Sequence, residues 1–536
     1  MASSQDPHHP EDEAYIGADE AEEVFNRDED HPMESDGEDD DQAMNIDEQE
    51  EITFQNDSSA HFDLHNNSVF CISQHPVHNA IVVSGSGDDT SYIFDSTPSN
   101  DRPLLPRSYE SNPQQTAERK SLQPIVKMGG HTDTVNAVAF TEPKGEYVVT
   151  AGLDGKLRVW RDTTPQLTGL SWEFVAETQE VEEINWVAAC PCAKGEEAEK
   201  SNIIAFGGND GSAWVLKIDH TDTAQPVSII QSFFQHTMSC TAGAWTPDGN
   251  LLATVSEDAS FYVYDVFGAA AAAGISYSAG TSAVVGLTPA DQRFAVDGGL
   301  YSVAIAPNGS LAAVGGAEGY IKVVGLPRLP SSSGSTAPSS TKAKAGKSSA
   351  SQFAAGGASA AGTILASLQA QSDGIETLSF SSPPLTLLAS GSVDGSIALF
   401  DTAHRFAVRR HIKDAHEGSA VVKVEFLQIP HSTSPSARPG IVPRGPVPRT
   451  PAAAPSQGRS WLLTSVGMDG VVRRWDARGG TAAAAQGLLK EWRGHLGVSE
   501  NAEGEQSGGI MGFVQGLEGK RIVTAGDDGV VFVFEE

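Results

Sequence analysis

Cysteine is scarce in this 536-residue chain, and its four copies, Cys71, Cys190, Cys192 and Cys240, are too few for a disulfide framework. Cys190-Pro-Cys192 lacks the second pair of ligands that zinc requires. His61 and His65 would share a ligating face only on a helix, and Ser and Asn flank them in a strand-rich context. No metal and no cofactor are therefore expected. Long apolar runs are missing too: the longest, Phe267 to Gly274, is mostly alanine and far short of the roughly 20 residues that span a bilayer. The opening MASSQDPHHPEDE has neither the basic nor the apolar segment of a secretory signal. A cytoplasmic location without membrane contact is expected, extending to the nucleus if a partner carries the protein there. There is no phosphate-binding loop, dinucleotide fingerprint or Gly-x-Ser-x-Gly elbow, so no enzyme is expected. Basic charge is scarcest of all, with 35 Lys and Arg against 70 Asp and Glu, a net −35.

That imbalance is uneven. Residues 1–50 hold 20 acids and one base, Arg27, which leaves −16 for the rest of the chain. The first 50 residues also lack aromatic density and apolar period, the composition of a disordered acidic tail that cannot bury a core. After Glu51 a turn signature recurs eight times: SGSGDDTSYIFD (84–95), TAGLDGKLRVWR (150–161), FGGNDGSAWVLK (206–217), VSEDASFYVYD (255–265), VGGAEGYIKVVG (314–325), SGSVDGSIALFD (390–401), SVGMDGVVRRWD (465–476) and TAGDDGVVFVFE (524–535). In each copy an acid precedes the terminal apolar position by six residues, from Asp88 and Phe94 to Asp528 and Phe534. Gly supplies the backbone angles of a tight turn, the acid caps it, and alternation gives the following strand two faces.

Upstream stands a histidine, as in Gly130-His131, Gln235-His236, Ala415-His416 and Gly494-His495. The combination resembles the WD-repeat pattern, in which a four-stranded blade runs from Gly-His to Trp-Asp. The fold class implied is all-β, an eight-bladed WD-repeat β-propeller over 51–536 behind the tail. The second repeat is nearest to complete, and the resemblance implies a hydrogen-bonded network of His131, Thr150, Asp154 and Trp160, with Asp469 and Trp475 in equivalent places. Such a constellation repeated around a ring is structural and argues against a catalytic triad. The spacing between repeats exceeds the roughly 40 to 45 residues of a blade, and low-complexity insertions at 97–124, 327–362, 428–460 and 496–508 absorb the excess. The chain ends one residue after the last signature, so the eighth blade lacks an outer strand. Residues 58–64 are expected to supply it, because a propeller leaves no long free edge.

Turns and strand-entry loops of a propeller share one face. Acids there without a structural duty are Asp89, Glu257 and Asp527 in the turns, and Asp133, Glu180, Glu182, Glu183, Asp373 and Glu376 in the loops. A concave ring of one sign focuses potential, repels nucleic acid and suits a short basic peptide whose arginines pair with carboxylates. A monomer is expected. QEVEEINW (179–186), NNSVFCISQHP (66–76) and IVTAGDDGVVFVFE (522–535), behind an acidic tail, resemble the fungal ribosome-assembly WD-repeat proteins of the Sqt family, with angio-associated migratory cell protein as animal counterpart. The resemblance covers 50–536 apart from the insertions. It implies a dedicated chaperone for a basic ribosomal protein of the large subunit, the universal L-sixteen or eukaryotic L-ten type. The client's basic N-terminal segment would be captured as it is made, with pre-ribosomal particles as further partners. Carried over by position, Asp133, Glu182, Glu183, Glu376 and Asp527 would surround the channel mouth. The alternative from another class is a generic scaffold that reads basic peptides such as histone tails.

Overall fold

Each turn signature joins the two middle strands of a four-stranded antiparallel sheet, and eight such sheets follow one another along the chain. The computed structural model describes residues 55–98, 121–165, 168–192, 195–278, 281–329, 361–428, 459–478, 487–497, 499–500, 506–516 and 519–536. The acidic tail and most of the expected insertions lie outside the described residues.

Blade 1 comprises Val69–Gln74, Ile81–Ser86, Ser91–Asp95 and Pro124–Met128, from the innermost strand outward. Blade 2 comprises Val135–Phe140, Tyr147–Gly152, Lys156–Asp162 and Trp172–Gln179. Blade 3 runs Ile184–Ala189, Ile203–Gly208, Ala213–Ile218 and Val227–Phe233, and blade 4 runs Cys240–Trp245, Leu251–Ser256, Phe261–Asp265 and Ala283–Leu287. Blades 5 and 6 begin at Leu300–Ile305 and Ile375–Phe380 and end at Ile364–Gln369 and Ala407–Ile412. Blade 7 runs from Val421–Phe426 to Leu488–Arg493, and blade 8 is built on Ile510–Gly516, Arg521–Gly526 and Val531–Glu535.

The innermost strand of each blade touches those of its two neighbours, and blade 8 touches blade 1, so the ring is closed. Closure is made as the incomplete last blade requires. Ala60–Phe62 pairs antiparallel with Val531–Glu535 as the missing outer strand. Phe62 is fully buried and stacks on Phe94 with centroids 4.5 Å apart, so one side chain ties the strand Ala60–Phe62 to blades 8 and 1.

Alternation is weaker than the sequence suggests. The second strand of most blades, such as Ile81–Ser86 and Tyr147–Gly152, is buried at every residue, because each blade is covered on both faces by its neighbours. The core accordingly lies between blades. Ile81, Val83 and Ile93 pack with Val135, Val138 and Val148, and Val466 and Val472 pack with Ile522 and Phe532. Each such side chain contributes about 1.5–3 kcal/mol when fully buried.

A bulge interrupts the inner strand of every blade at its second residue: Phe70, Asn136, Asn185, Thr241, Tyr301, Glu376, Val422 and Met511. A bulge re-aims the side chain it carries. Three of these side chains cross to the next blade: Asn136 donates to the Ile184 carbonyl at 2.6 Å, Asn185 to Cys240 at 3.0 Å and Thr241 to Leu300 at 2.6 Å. Within the expected insertion 496–508, Ser499–Glu500 pairs antiparallel with Gln506–Ser507. At the end of 97–124, the Leu122 amide already donates to the His61 carbonyl.

Candidate functional site

The eight turns and the loops that enter the inner strands interlock on one face. Gly155, in the turn of blade 2 at φ 71°, lies under the carbonyls of Val181 and Glu182 in the loop entering blade 3. Gly211 lies under His236 and Met238, Gly319 under Gln371, and Gly470 under Gly497 in the same way. A side chain at Gly155 would collide with the next loop's backbone, so glycine is required there on two counts, conformation and space. Blades 1 and 4 depart from this rule, with Asp89 at φ 61° and Ala259 at φ 59° holding the left-handed conformation. Aspartate is among the few residues that tolerate it.

The loop histidines and turn acids form a fixed device. His131 Nδ1 lies 3.1 Å from Asp154 and Nε2 lies 2.9 Å from the Thr150 hydroxyl. A carboxylate only accepts, so Nδ1 donates to Asp154 and Nε2 accepts from Thr150. His65 with Asp88 and Ser84, His416 with Asp469 and Ser465, and His495 with Asp528 and Thr524 repeat the arrangement. Burial holds the imidazoles of His65, His131 and His416 below their usual range despite the adjacent carboxylate. Burial opposes ionisation of Asp154, yet the Thr132 amide, His131 and the Lys156 amide outweigh it and hold the carboxyl below its usual range. The pairs of His65, His131 and His416 are therefore neutral imidazole and carboxylate at neutral pH.

The fourth expected member of the second repeat is missing from its network. Trp160 Nε1 is buried without a hydrogen-bond partner, and its ring packs edge-on against Phe174 at 5.3 Å. The complete set belongs to blade 7, where Trp475 Nε1 donates to Ser465 Oγ at 2.8 Å and Ser465 meets His416. There Arg473, itself buried, also pairs with Asp469 and with Glu491 at 2.7 Å.

Three blades lack the histidine, with different consequences. In blade 6 Gln371 replaces it and bonds Ser390 and Ser396, while Asp394 takes the Ser372 amide at 2.8 Å. In blades 3 and 5 the position holds Val181 and Val296, which pack beside Gly208 and Gly316. Valine cannot bond a carboxylate. Asp210 keeps only Ser212 as a partner, Glu318 has no side-chain hydrogen bond among the described residues, and both are exposed. Two acids that look structural from their offset are thus released to the face. The signal was present in the sequence as the absent histidine.

The other acids lie on the same face. Asp133, Glu182, Glu257, Asp373 and Glu376 are exposed, and Asp89, Glu180, Glu183 and Asp527 are half-buried. Some are engaged locally: Glu180 accepts from Thr178 at 2.6 Å, Asp133 and Asp373 accept the following amides, and Asp527 accepts the Gly508 amide at 3.0 Å. The carboxylates of Glu182, Glu183, Glu257 and Glu376 carry no hydrogen bond or ion pair to described residues, so their charge is free for a partner. Glu376 occupies the bulge position from which Asn136, Asn185 and Thr241 donate to the next blade; a carboxylate cannot donate there. Although the residue is exposed, partial desolvation of its carboxyl by the surrounding ring, and then the neighbouring Asp373, push it above the usual range. A cation at that point would relieve both penalties. Asp297, exposed in the loop entering blade 5, belongs to the same set and was not singled out by the sequence reading. The motif QEVEEINW is anchored beneath its two free glutamates, with the Trp186 indole wedged against Gly207 and Gly243, where a larger residue would not fit.

The WD domain, G-beta repeat family matches residues 122–161, 227–265 and 362–401. Ribosome assembly protein SQT1 of Saccharomyces cerevisiae is 30% identical over 241 residues, 44% of this chain and 48% of that protein, so the match spans about half the yeast protein. Human angio-associated migratory cell protein is 23% identical over 478 residues, 89% of this chain and 80% of its own. Among solved structures, Chaetomium thermophilum Sqt1 bound to the N-terminus of the ribosomal protein L10 is 46% identical, covering 90% of this chain and 100% of that one, with a TM-score of 0.69.

Proposed function

Because the chain belongs to the Sqt1 family of WD-repeat proteins, we propose that it is a dedicated chaperone in large ribosomal subunit biogenesis, binding the basic N-terminal segment of a large-subunit ribosomal protein. The observation that carries this reading is the set of carboxylates left without partners around one face of the ring, above all Glu182, Glu183, Glu257 and Glu376. Carboxylates in a concave, partly desolvated setting attract guanidinium and ammonium groups strongly and accept two bonds from each arginine. A chain of net charge −35 also keeps a basic client soluble by offsetting its charge.

The protein acts by binding, and no step of bond making is assigned to it. Its histidine, aspartate and hydroxyl sets recur from blade to blade in structural roles. No helix among the described residues is long and apolar enough to cross a membrane. On the chaperone reading the client is met in the cytoplasm, where it is synthesised, and can be accompanied into the nucleus. Purification through the tagged protein during translation, followed by sequencing of the attached messengers, tests the proposal. Strong enrichment of one messenger, encoding a basic large-subunit protein, is expected; enrichment of none would favour a generic scaffold and overturn it.

A further inference from the structure

At the seam between blades 3 and 4 the acidic face changes character. Met238 stands two residues after His236, the loop position that Asp133 holds after His131 and Asp373 holds after Gln371. It is 50% exposed, and Phe234 just before it is 63% exposed. Phe234 meets the Trp214 ring edge-on at 5.6 Å, and Trp214 Nε1 donates to Ser212, whose hydroxyl donates to Asp210 at 2.6 Å. On one side the Met238 carbonyl covers Gly211, the residue next to Asp210. On the other it accepts from Ser256 at 3.0 Å, while the Glu257 amide bonds the Ser239 carbonyl. Two exposed apolar side chains thus sit between two exposed carboxylates, and among the described residues neither acid has a cation beside it.

Resting on the basic-client reading, we propose that this seam is a subsite for an apolar side chain flanked by basic residues in the bound segment. Met238 and Phe234 would cover the apolar side chain, aromatic or large aliphatic, and Asp210 and Glu257 would pair with the flanking cations. A purely basic segment would leave the two apolar residues in water. Methionine suits such a surface because its flexible, polarisable side chain conforms to an aromatic ring. The subsite makes the face a reader of pattern as well as of charge.

Two synthetic peptides separate the subsite from general electrostatics: one of arginines and serines with a central tyrosine, and the same peptide with serine in place of the tyrosine. Anisotropy titration against the full-length protein should show the tyrosine peptide binding about tenfold more tightly. In Phe234→Ser/Met238→Ser that advantage should vanish while the serine peptide binds as before. Met238→Asp, which installs the residue that blades 2 and 6 carry, should fold normally and also abolish it. Equal affinity of the wild-type protein for the two peptides, or an advantage that survives both variants, overturns the subsite and leaves the basic-client reading intact. Binding of neither peptide by the wild-type protein overturns the reading and the subsite together.

Discussion

The difference between Trp160 and Trp475 shows how much a single hydrogen bond decides within one repeat device. Trp475 completes the blade 7 network through Ser465, whereas Trp160 keeps a buried Nε1 without a partner. Losing one partner of a buried pair costs about 1–3 kcal/mol, but removing a donor that was never satisfied does not. Trp475→Phe should therefore lower stability by about that amount, and Trp160→Phe should change it by less than about 0.5 kcal/mol; urea melts of the two variants compare them directly. The histidines add a pH dependence. The folded pKa values of His65, His131 and His416 lie below the unfolded 6.5, so the unfolded chain takes up protons first as pH falls. Their contribution is complete above about 6.5 and is lost progressively below it. The aspartates, held below 3.8, add a second loss at more acid pH. Thermal melts should show stability falling between pH 7 and 5, and falling less steeply in His131→Gln, the replacement that Gln371 already makes in blade 6. The histidines, the turn acids and most of the free acids were legible in the sequence, since their offsets are fixed. Asp210 and Glu318 pass for structural acids by their offset, and only the valine in the histidine's place marks them as released.

At the level of elements, the ring depends on the short strand Ala60–Phe62, which holds the last blade to the first. Phe62→Ala removes a fully buried ring stacked on Phe94, and such truncations cost about 3–5 kcal/mol. The melting temperature should fall, and proteolysis should begin at the seam of blades 8 and 1; an unchanged melt would mean that the ring closes without this strand. The position of the strand was legible because residues 58–64 precede the first inner strand of a ring that leaves no long free edge. The bulge at the second residue of every inner strand was not, since Asn136, Thr241 and Glu376 share no residue type, and a register shift leaves no mark on apolar spacing. Nor was the burial of the second strand on both faces, which depends on neighbours distant in sequence.

At the level of the whole molecule, charge divides into two populations. Acids such as Asp154 and Asp469 are committed to histidines and backbone amides, and acids such as Glu182, Glu183 and Glu376 are not. The first population builds the ring, and the second is the one proposed to meet the client. The composition announced an acidic protein, while only the repeat register separated the two populations. An electrostatic client site should weaken steadily as salt is raised, because exposed charge pairs are screened over about 10 Å at 0.1 M ionic strength. The most direct measurement is the affinity of the client's basic N-terminal segment, as a peptide, for the wild-type protein and for Glu182→Lys/Glu183→Lys/Glu376→Lys at one salt concentration, with melting curves of both proteins alongside. The expected result is a loss of about a hundredfold or more with the melting temperature preserved, because none of the three side chains holds the ring together; equal affinity for the two proteins would contradict the assignment of this face as the client site.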